Sequence, residues 1–395
     1  MRQIADTAQT RQVVLYRHFS SKRELFEHAV LAPLETLLDQ IGDISGLFGA
    51  NVGSSATSVD RSEVDRSEMM RRHLSAVQQI TPLLGVAVFG DLDKGSTFYR
   101  DQIAPHFDRA GRLIQRYLDQ IGKTDLDGRL LYVALFGIHL GLAIDADIRG
   151  EILDVPVAAE EVLGLLEKGL IVDPGTAQQR RGVIDIAIED LPALRQPAPK
   201  DRRARMSPED RRAAIIADAR EVYRTKGVAR TRMSDIASAA GVTEALVYQY
   251  FGSKDELFSE AVLRPSEDMI KRLRNAVVRL LAEADPTSSD ATREFHRDIL
   301  HVILETAPLI GAAVFTGSEL GRRAYQEQFY PMLHEAVSAL HGHVYRPGRS
   351  NVTMIATTTM HFTVAVDAII LDRDIDVSQV SAQLADLVST GLNGR

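Results

Sequence analysis

The sequence predicts an all-α protein made of two tandem units, each a helix-turn-helix headpiece followed by a larger helical lobe. Three observations lead there. The 395-residue chain repeats itself once over most of its length. The second copy carries two short helical segments joined by a turn containing Gly, the helix-turn-helix pattern. The remaining long segments space their apolar residues with the period of a helix.

The repeat organises the chain. Residues 1–33 (MRQIADTAQTRQVVLYRHFSSKRELFEHAVLAP) lie on residues 233–265 without a gap, and 15 of the 33 positions are identical. TPLLGVAVF (81–89) then matches APLIGAAVF (307–315), with Tyr99, Gln102 and Pro105 in register with Tyr325, Gln328 and Pro331. HLGLAID (139–145) matches HFTVAVD (361–367), and the register runs on to Gly169-Leu170 against Gly391-Leu392. The offset drifts only from 232 to 226 to 222, so the order is collinear with small deletions. Short periods make solenoids; a repeat this long makes two whole subunits.

Composition bounds the function. Hydrophobic residues are 45% and charged residues 25%, ordinary for a globular protein. Cysteine is absent, which excludes disulfides, thiolate metal sites and cysteine nucleophiles. No signal-peptide core and no unbroken run of 18 apolar residues is found, so no membrane span and a cytoplasmic location are expected. The motifs GxSxG, GxGxxG, HExxH and the P-loop are missing, so no enzyme and no cofactor is expected. Net charge is −8, but residues 195–206 carry five Lys/Arg against one Asp, and residues 1–33 five against three acids. Basic patches on an acidic body are compatible with nucleic acid.

The expected divisions are a truncated headpiece (1–33), a lobe (34–172), a linker with a basic arm (173–206), a complete headpiece (207–265) and a second lobe (266–395). Pro174, Pro192, Pro197 and Pro199 mark the linker. The complete headpiece opens with a helix whose ends are both signed. Ser207 suits the N-cap, Pro208 the first helical position, Glu209 and Asp210 the dipole, and Gly227 the end. Ile215, Ile216, Ala219, Val222 and Tyr223 give it an apolar stripe. A short helix from about Thr231 or Arg232 to Ala240 follows, then the turn Gly241-Val242, then a helix capped by Thr243. Ile236, Ala237, Ala240, Leu246 and Phe251 would close the interior, and Ser253 would cap the next helix.

The run IASAAGVTEALVYQYFGSKDELF resembles the helix-turn-helix signature of TetR-family regulators. The full resemblance covers about 207–395, and a truncated one covers 1–172. It implies an all-α protein with a three-helix DNA-binding headpiece and a helical lobe that binds a small-molecule effector and dimerises. The second helix of such a motif enters the major groove of double-stranded DNA. The resemblance makes Thr243, Glu244 and Gln249 candidates for base or backbone contact, and Tyr248 and Lys254 for phosphates. The matching positions of the first copy are Arg11, Gln12 and Arg17, then Tyr16 and Lys22. Arg pairs with guanine and Gln with adenine, so the two heads should read different half-sites. Glu244 departs from a comfortable pattern, since a carboxylate near phosphates is repulsive unless it accepts from a cytosine. Arg202, Arg203 and Arg205 could act as an arm along the backbone or minor groove, or be a solvated linker.

The first copy lacks a counterpart of the 208–226 helix and has Gln9 where the family prefers Gly. Burying one Leu-sized side chain contributes about 1.5–3 kcal/mol. Leaving Ile4, Val14 and Phe19 uncovered would thus cost several kcal/mol against a domain stability of roughly 5–15. An upstream start some 25 residues earlier and a degenerate head are the two explanations; the first is preferred, because Met1 falls inside the motif.

In the lobes, helices are expected at Glu63–Ile80, Leu83–Leu92, Phe98–Ile121, Leu126–Ile148 and Val157–Leu170, with counterparts in the second copy. TetR-like proteins dimerise through their last two long helices, here near 126–170 and 350–393. The two lobes could form that interface within one chain, a covalent pseudo-dimer whose heads sit about 34–36 Å apart on DNA. Further pairing of two chains stays open. His139/Asp145 and His361/Asp367 invite a metal reading, but six helical residues put each pair on different faces, which favours core or interface roles. Phe89, Phe98, Tyr99 and Phe107, with Phe315, Tyr325 and Phe329, are candidate effector-pocket residues, equally readable as core. The reading is an effector-responsive repressor on an asymmetric operator. The alternative is a helical ligand- or partner-binding protein with degenerate or single-headed DNA binding.

Overall fold

The computed structural model describes residues 2–42, 59–89, 92–171, 206–228, 230–314, 319–341, 344–345 and 350–392. Arg202, Arg203 and Arg205 of the expected arm, and Phe315, lie outside the described residues. The architecture is all-α and duplicated. Among the described residues there is no strand, only isolated bridges at Ile171–Tyr345 and His341–Tyr345.

The first copy contains α1 (Arg2–Thr7), α2 (Gln12–His18), α3 (Lys22–Phe26) and α4 (Ala32–Gly42), then α5 (Val59–Phe89), α6 (Leu92–Phe98), α7 (Ala104–Gln120), α8 (Gly128–Arg149) and α9 (Val155–Lys168). The second contains α10 (Pro208–Lys226), α11 (Met233–Ala240), α12 (Glu244–Tyr250), α13 (Lys254–Phe258) and α14 (Arg264–Ala282), then α15 (Ser289–Val314), α16 (Glu319–Ala324), α17 (Tyr330–Leu340), α18 (Ser350–Leu371) and α19 (Val377–Thr390). One-turn π-helical segments join α3 to α4 and α6 to α7, and recur between α13 and α14 and between α16 and α17. The repeat therefore extends to backbone irregularities, which sequence periodicity does not report.

Two expected boundaries are corrected. The break placed between Ile80 and Leu83 is absent, and α5 runs through Pro82. Proline removes one helical hydrogen bond, but Val77, Ile80, Leu84 and Val88 around it are buried and hold the helix to the core. The helix expected to begin at Phe98 begins at Leu92 and passes through the π turn Tyr99–Ile103 into α7.

At the centre lies α8, buried without a break from Leu131 to Ala146. A helix that is apolar all round belongs inside a larger core. By length and composition alone, 128–149 and 352–371 are apolar enough to cross a membrane, but 89% and 78% of their most apolar 18-residue windows are buried in the protein. Each is the other's principal neighbour: α8 packs along α18, and α9 along α19. Within each copy, α9 packs on α5 and α19 on α15.

The contacts between copies are reciprocal. Leu170 N donates to the Val388 carbonyl at 2.6 Å, and Leu392 N donates to the Leu166 carbonyl at 2.6 Å. The repeat pairs Leu170 with Leu392 and Leu166 with Val388, so these bonds are images of one another. Gly169 (φ 66°) and Gly391 (φ 64°) make the approach. A Cβ on Gly169 would lie 2.5 Å from the Ser389 carbonyl oxygen, and one on Gly391 2.6 Å from the backbone of Lys168.

Tyrosine and aspartate cross in the same way. Tyr99 Oη donates to Asp367 Oδ1 at 2.6 Å, and Tyr325 Oη to Asp145 Oδ1 at 2.8 Å. The two histidines turn inward instead: His139 meets His73 (2.6 Å) and His361 meets His296 (3.0 Å), each pair fully buried within one copy. The divergence of His139 from Asp145, and of His361 from Asp367, is the one expected from their spacing.

Candidate nucleic-acid interface

The second headpiece is assembled by caps. Ser207 Oγ accepts from Asp210 N at 3.0 Å and starts α10. Asp235 closes the start of α11 by accepting from Arg232 N at 3.0 Å and binding Lys226 Nζ at 2.8 Å. Gly241 ends α11 with φ 66°, and Thr243 Oγ1 accepts from Leu246 N at 3.2 Å to start α12. Ser253 Oγ then accepts from Glu256 N at 3.1 Å, while Glu256 Oε2 accepts from Gly252 N at 2.9 Å. The first copy repeats that last device with Ser21, Glu24 and Ser20.

These caps orient α12. Val247 and Phe251 are fully buried, and the Arg212 guanidinium stands 4.9 Å over the Phe251 ring. Thr243, Glu244, Tyr248 and Gln249 consequently share the exposed side, with Tyr248 46% exposed. Lys254 is placed differently. Its ammonium donates to the Val228 carbonyl at 2.7 Å, and burial lowers its pKa. It ties α13 to the end of α10.

In the first headpiece Arg11, Gln12, Tyr16, Arg17 and Lys22 are all exposed on or beside α2. Arg11 occupies the N-cap, without the side-chain hydrogen bond that Thr243 supplies in the other copy. Gln9 holds φ 51° at the position of Gly241, a left-handed conformation that L residues adopt at a cost.

The interiors differ most. In the second head α10 lays Ile215, Ala219, Val222 and Tyr223 over α11 and α13, and Tyr223 meets Phe258 edge-on at 5.7 Å. Ile236, Val247, Phe251 and Leu257 are there wholly buried. Their counterparts Leu15, Phe19 and Leu25 are only half-buried, and Ile4 is 41% exposed. No described helix covers that face of the first head.

The effector-pocket candidates are dispersed. Tyr99, Phe107 and Phe329 are buried in the core, and Phe98 and Tyr325 pack on it. Phe107 meets Tyr99 and Tyr132 edge-on. Phe89 lies at the end of α5. Phe98, Tyr99, Phe107, Tyr325 and Phe329 line neither of two described cavities. One, of about 480 Å³, lies where Asp108, Arg112, Gln115 and Arg129 face Gln379 and Gln383 of the other copy. The other, of about 670 Å³, is lined by Asp39, Glu68, Arg71, Arg72, His73 and Gln79. Residue-type reasoning missed the Tyr99–Asp367 and Tyr325–Asp145 crossings, although all four residues stand in register in the repeat.

Comparison with known proteins agrees with this geometry. The family model for bacterial regulatory proteins of the tetR family matches residues 1–29 and 215–261. The transcriptional activator FasR of Mycolicibacterium smegmatis is 33% identical over 84 residues, 21% of this chain and 38% of that protein. The transcriptional regulator TtgR of Pseudomonas putida is 43% identical over 56 residues, 14% and 27% of the respective chains. The chain thus spans well under half the length of these relatives. A candidate fatty acid metabolism regulator from Clostridium perfringens aligns over 46% of this chain and 98% of its own, at 15% identity and TM-score 0.38. Each half of the chain thus carries a headpiece that matches the tetR family model, in the order and register of the repeat.

Proposed function

We propose that the chain is an effector-responsive, DNA-binding transcriptional regulator that works as a covalent pseudo-dimer in the cytoplasm. The division into two heads, two lobes and a basic linker is part of this proposal. The supporting observation is the pairing of α8 with α18 inside one polypeptide that carries two capped helix-turn-helix units. A single chain then presents two reading helices, as a two-chain regulator does.

The α2 face offers Arg11, Gln12 and Arg17 where the α12 face offers Thr243, Glu244 and Gln249. Unlike side chains read unlike bases, so the operator is asymmetric. Tyr16 and Tyr248 serve the phosphates at the edges of the two faces. An effector acts by preferring the conformation whose heads are misplaced. Repression is the direction the family resemblance implies; FasR is named an activator, so the sign is measured rather than inherited.

The test is fluorescence anisotropy of the whole chain on its own upstream intergenic DNA over a salt series. The expected result is one chain per site and a log–log slope of about −0.9 for each phosphate neutralised. A flat salt series, or two chains per site at every concentration, overturns the proposal. The direction follows from transcription of that DNA in vitro with and without the protein.

A further inference from the structure

Helices α8 and α18 touch where the two copies carry different residues. In the register set by His139/His361 and Asp145/Asp367, Gly137 corresponds to Thr359 and Gly141 to Thr363. At the crossing each glycine faces the threonines of the other copy. A Cβ on Gly137 would lie 2.0 Å from Thr363 Oγ1 and 2.8 Å from the Thr359 carbonyl oxygen. A Cβ on Gly141 would lie 2.3 Å from Thr359 Cγ2 and 2.7 Å from Ile355 Cγ2. The space is filled from the other side, and Thr363 Oγ1 reaches the Val133 carbonyl at 3.1 Å.

Helices paired about a twofold axis match position i of one with position j of the other. Two first lobes would therefore bring Gly opposite Gly, and two second lobes would bring Thr opposite Thr. The second case puts methyl and hydroxyl groups where no room exists for a single Cβ. Overpacking of that kind is destabilising.

The charges are unequal in the same sense. Asp367 is buried and takes both Arg129 Nη1 (2.6 Å) and Nη2 (2.8 Å) from the first copy. Asp145, equally buried, takes Arg149 from its own helix at 2.7 Å. The positions of Arg129 and Arg149 are Asn351 and Leu371 in the second copy. A pair of second lobes would thus bury two Asp367 carboxylates with neither arginine, a strongly unfavourable state.

We propose that Gly137 and Gly141 with Thr359 and Thr363, backed by Arg129 and Asp367, make this interface heterotypic. The second lobe is shaped and charged to take the first lobe as its partner and is barred from pairing with a second copy of itself. The proposal rests on the pseudo-dimer reading for its intramolecular setting, but the pairing rule is separately testable.

The experiment compares melting of the full chain, G137T/G141T, and the swap G137T/G141T/T359G/T363G. Threonine forms helix better than glycine, so helix propensity alone predicts no loss for G137T/G141T. Packing predicts a midpoint lower by about 5 °C or more, with roughly half or more of the loss recovered in the swap. Should G137T/G141T fail to fold, G137A against G137A/T363A poses the same question with one Cβ. Melting of G137T/G141T (or G137A) at the unmodified temperature overturns the rule, and so does a swap (or G137A/T363A) that recovers nothing. Light-scattering mass separates the two readings. A two-chain mass at all concentrations with the swap still rescuing would overturn the intramolecular reading and leave the pairing rule standing.

Discussion

Arg129→Met is the substitution that bears hardest on the junction between the copies. Asp367 keeps 6% of its side-chain surface and Arg129 keeps 18%. Burial alone would lower the Arg129 pKa, but the hydrogen bonds and charge of Asp367 outweigh it and hold the guanidinium protonated. Burial and the Asp367 charge likewise keep Tyr99 a neutral donor. Methionine preserves the aliphatic stem and removes the cation, leaving a buried carboxylate with Tyr99 as its remaining donor among the contacts described. Losing one partner of a buried ion pair costs roughly 3–5 kcal/mol. The surviving 2.6 Å bond from Tyr99 puts the expectation at the lower end, about 3 kcal/mol. At about 2 °C per kcal/mol, as for larger domains, the melting midpoint falls by about 6 °C.

Two companions make the measurement decisive. Arg72→Met removes an exposed partner of Glu68, with 71% and 50% of those side chains exposed, and should shift the midpoint by about 2 °C or less. Asp367→Asn added to Arg129→Met removes the orphaned charge, so the double variant should melt above Arg129→Met alone. The assay is thermal unfolding by circular dichroism at one protein concentration. An Arg129→Met midpoint equal to the unmodified one, or a double variant losing the sum of two single losses, would refute the view that this pair is a buried clamp between copies.

Two further outcomes follow from the same coordinates. Burial pushes His73 down to about 3 and His361 down to about 4, against about 6.5 in the unfolded chain. Their stabilisation is therefore full above about pH 6.5 and is lost as pH falls towards the folded values. The melting midpoint should drop between about pH 7.5 and pH 5, and a midpoint constant over that range would contradict neutral burial. Gln9→Gly should relieve the left-handed backbone at φ 51° by about 1 kcal/mol. Amides of α1 and α2 should then exchange roughly fivefold more slowly, and unchanged or faster exchange would show that the turn is not strained.

The headpieces were legible because local chemistry decides them. Ser207, Gly227, Gly241, Thr243 and Ser253 stand at caps and turns whose requirements are met within three or four residues, and each performs the role its type suggests. Tyr248 and Phe251, which a continuous helix would put on one face, separate because Phe251 is the extended C-cap and turns inward while Tyr248 stays outward. The hydrogen bond of Lys254 to the Val228 carbonyl, 26 residues earlier, was not legible, because nothing nearby in sequence announces it. The aromatic residues of the lobes could not be assigned for a related reason. Tyr99 and Phe329 are both buried in the core, but Tyr99 reaches Asp367 across the copies. Pro82 misplaced a boundary because the break it favours locally is opposed by burial on either side.

What duplication adds is visible in which symmetries survive and which are lost. The backbone bonds Leu170–Val388 and Leu392–Leu166 remain images of each other at 2.6 Å, since they need only glycine at 169 and 391. The side chains between them have diverged, Gly137 and Gly141 against Thr359 and Thr363. In a dimer of identical chains both helices carry the same residues at these two positions, so glycine at both on one side against threonine at both on the other cannot be encoded. Fusing the copies removes that constraint, because each side of the interface becomes a separate position in one gene. The same freedom applies to the heads. Arg11, Gln12 and Arg17 can change without altering Thr243, Glu244 and Gln249, whereas in a homodimer the equivalent positions of both heads change together. If the chain works as the proposed pseudo-dimer, divergence at the crossing and divergence on α2 and α12 are two consequences of one covalent connection, and the first would keep two unlike heads on a single pair of lobes.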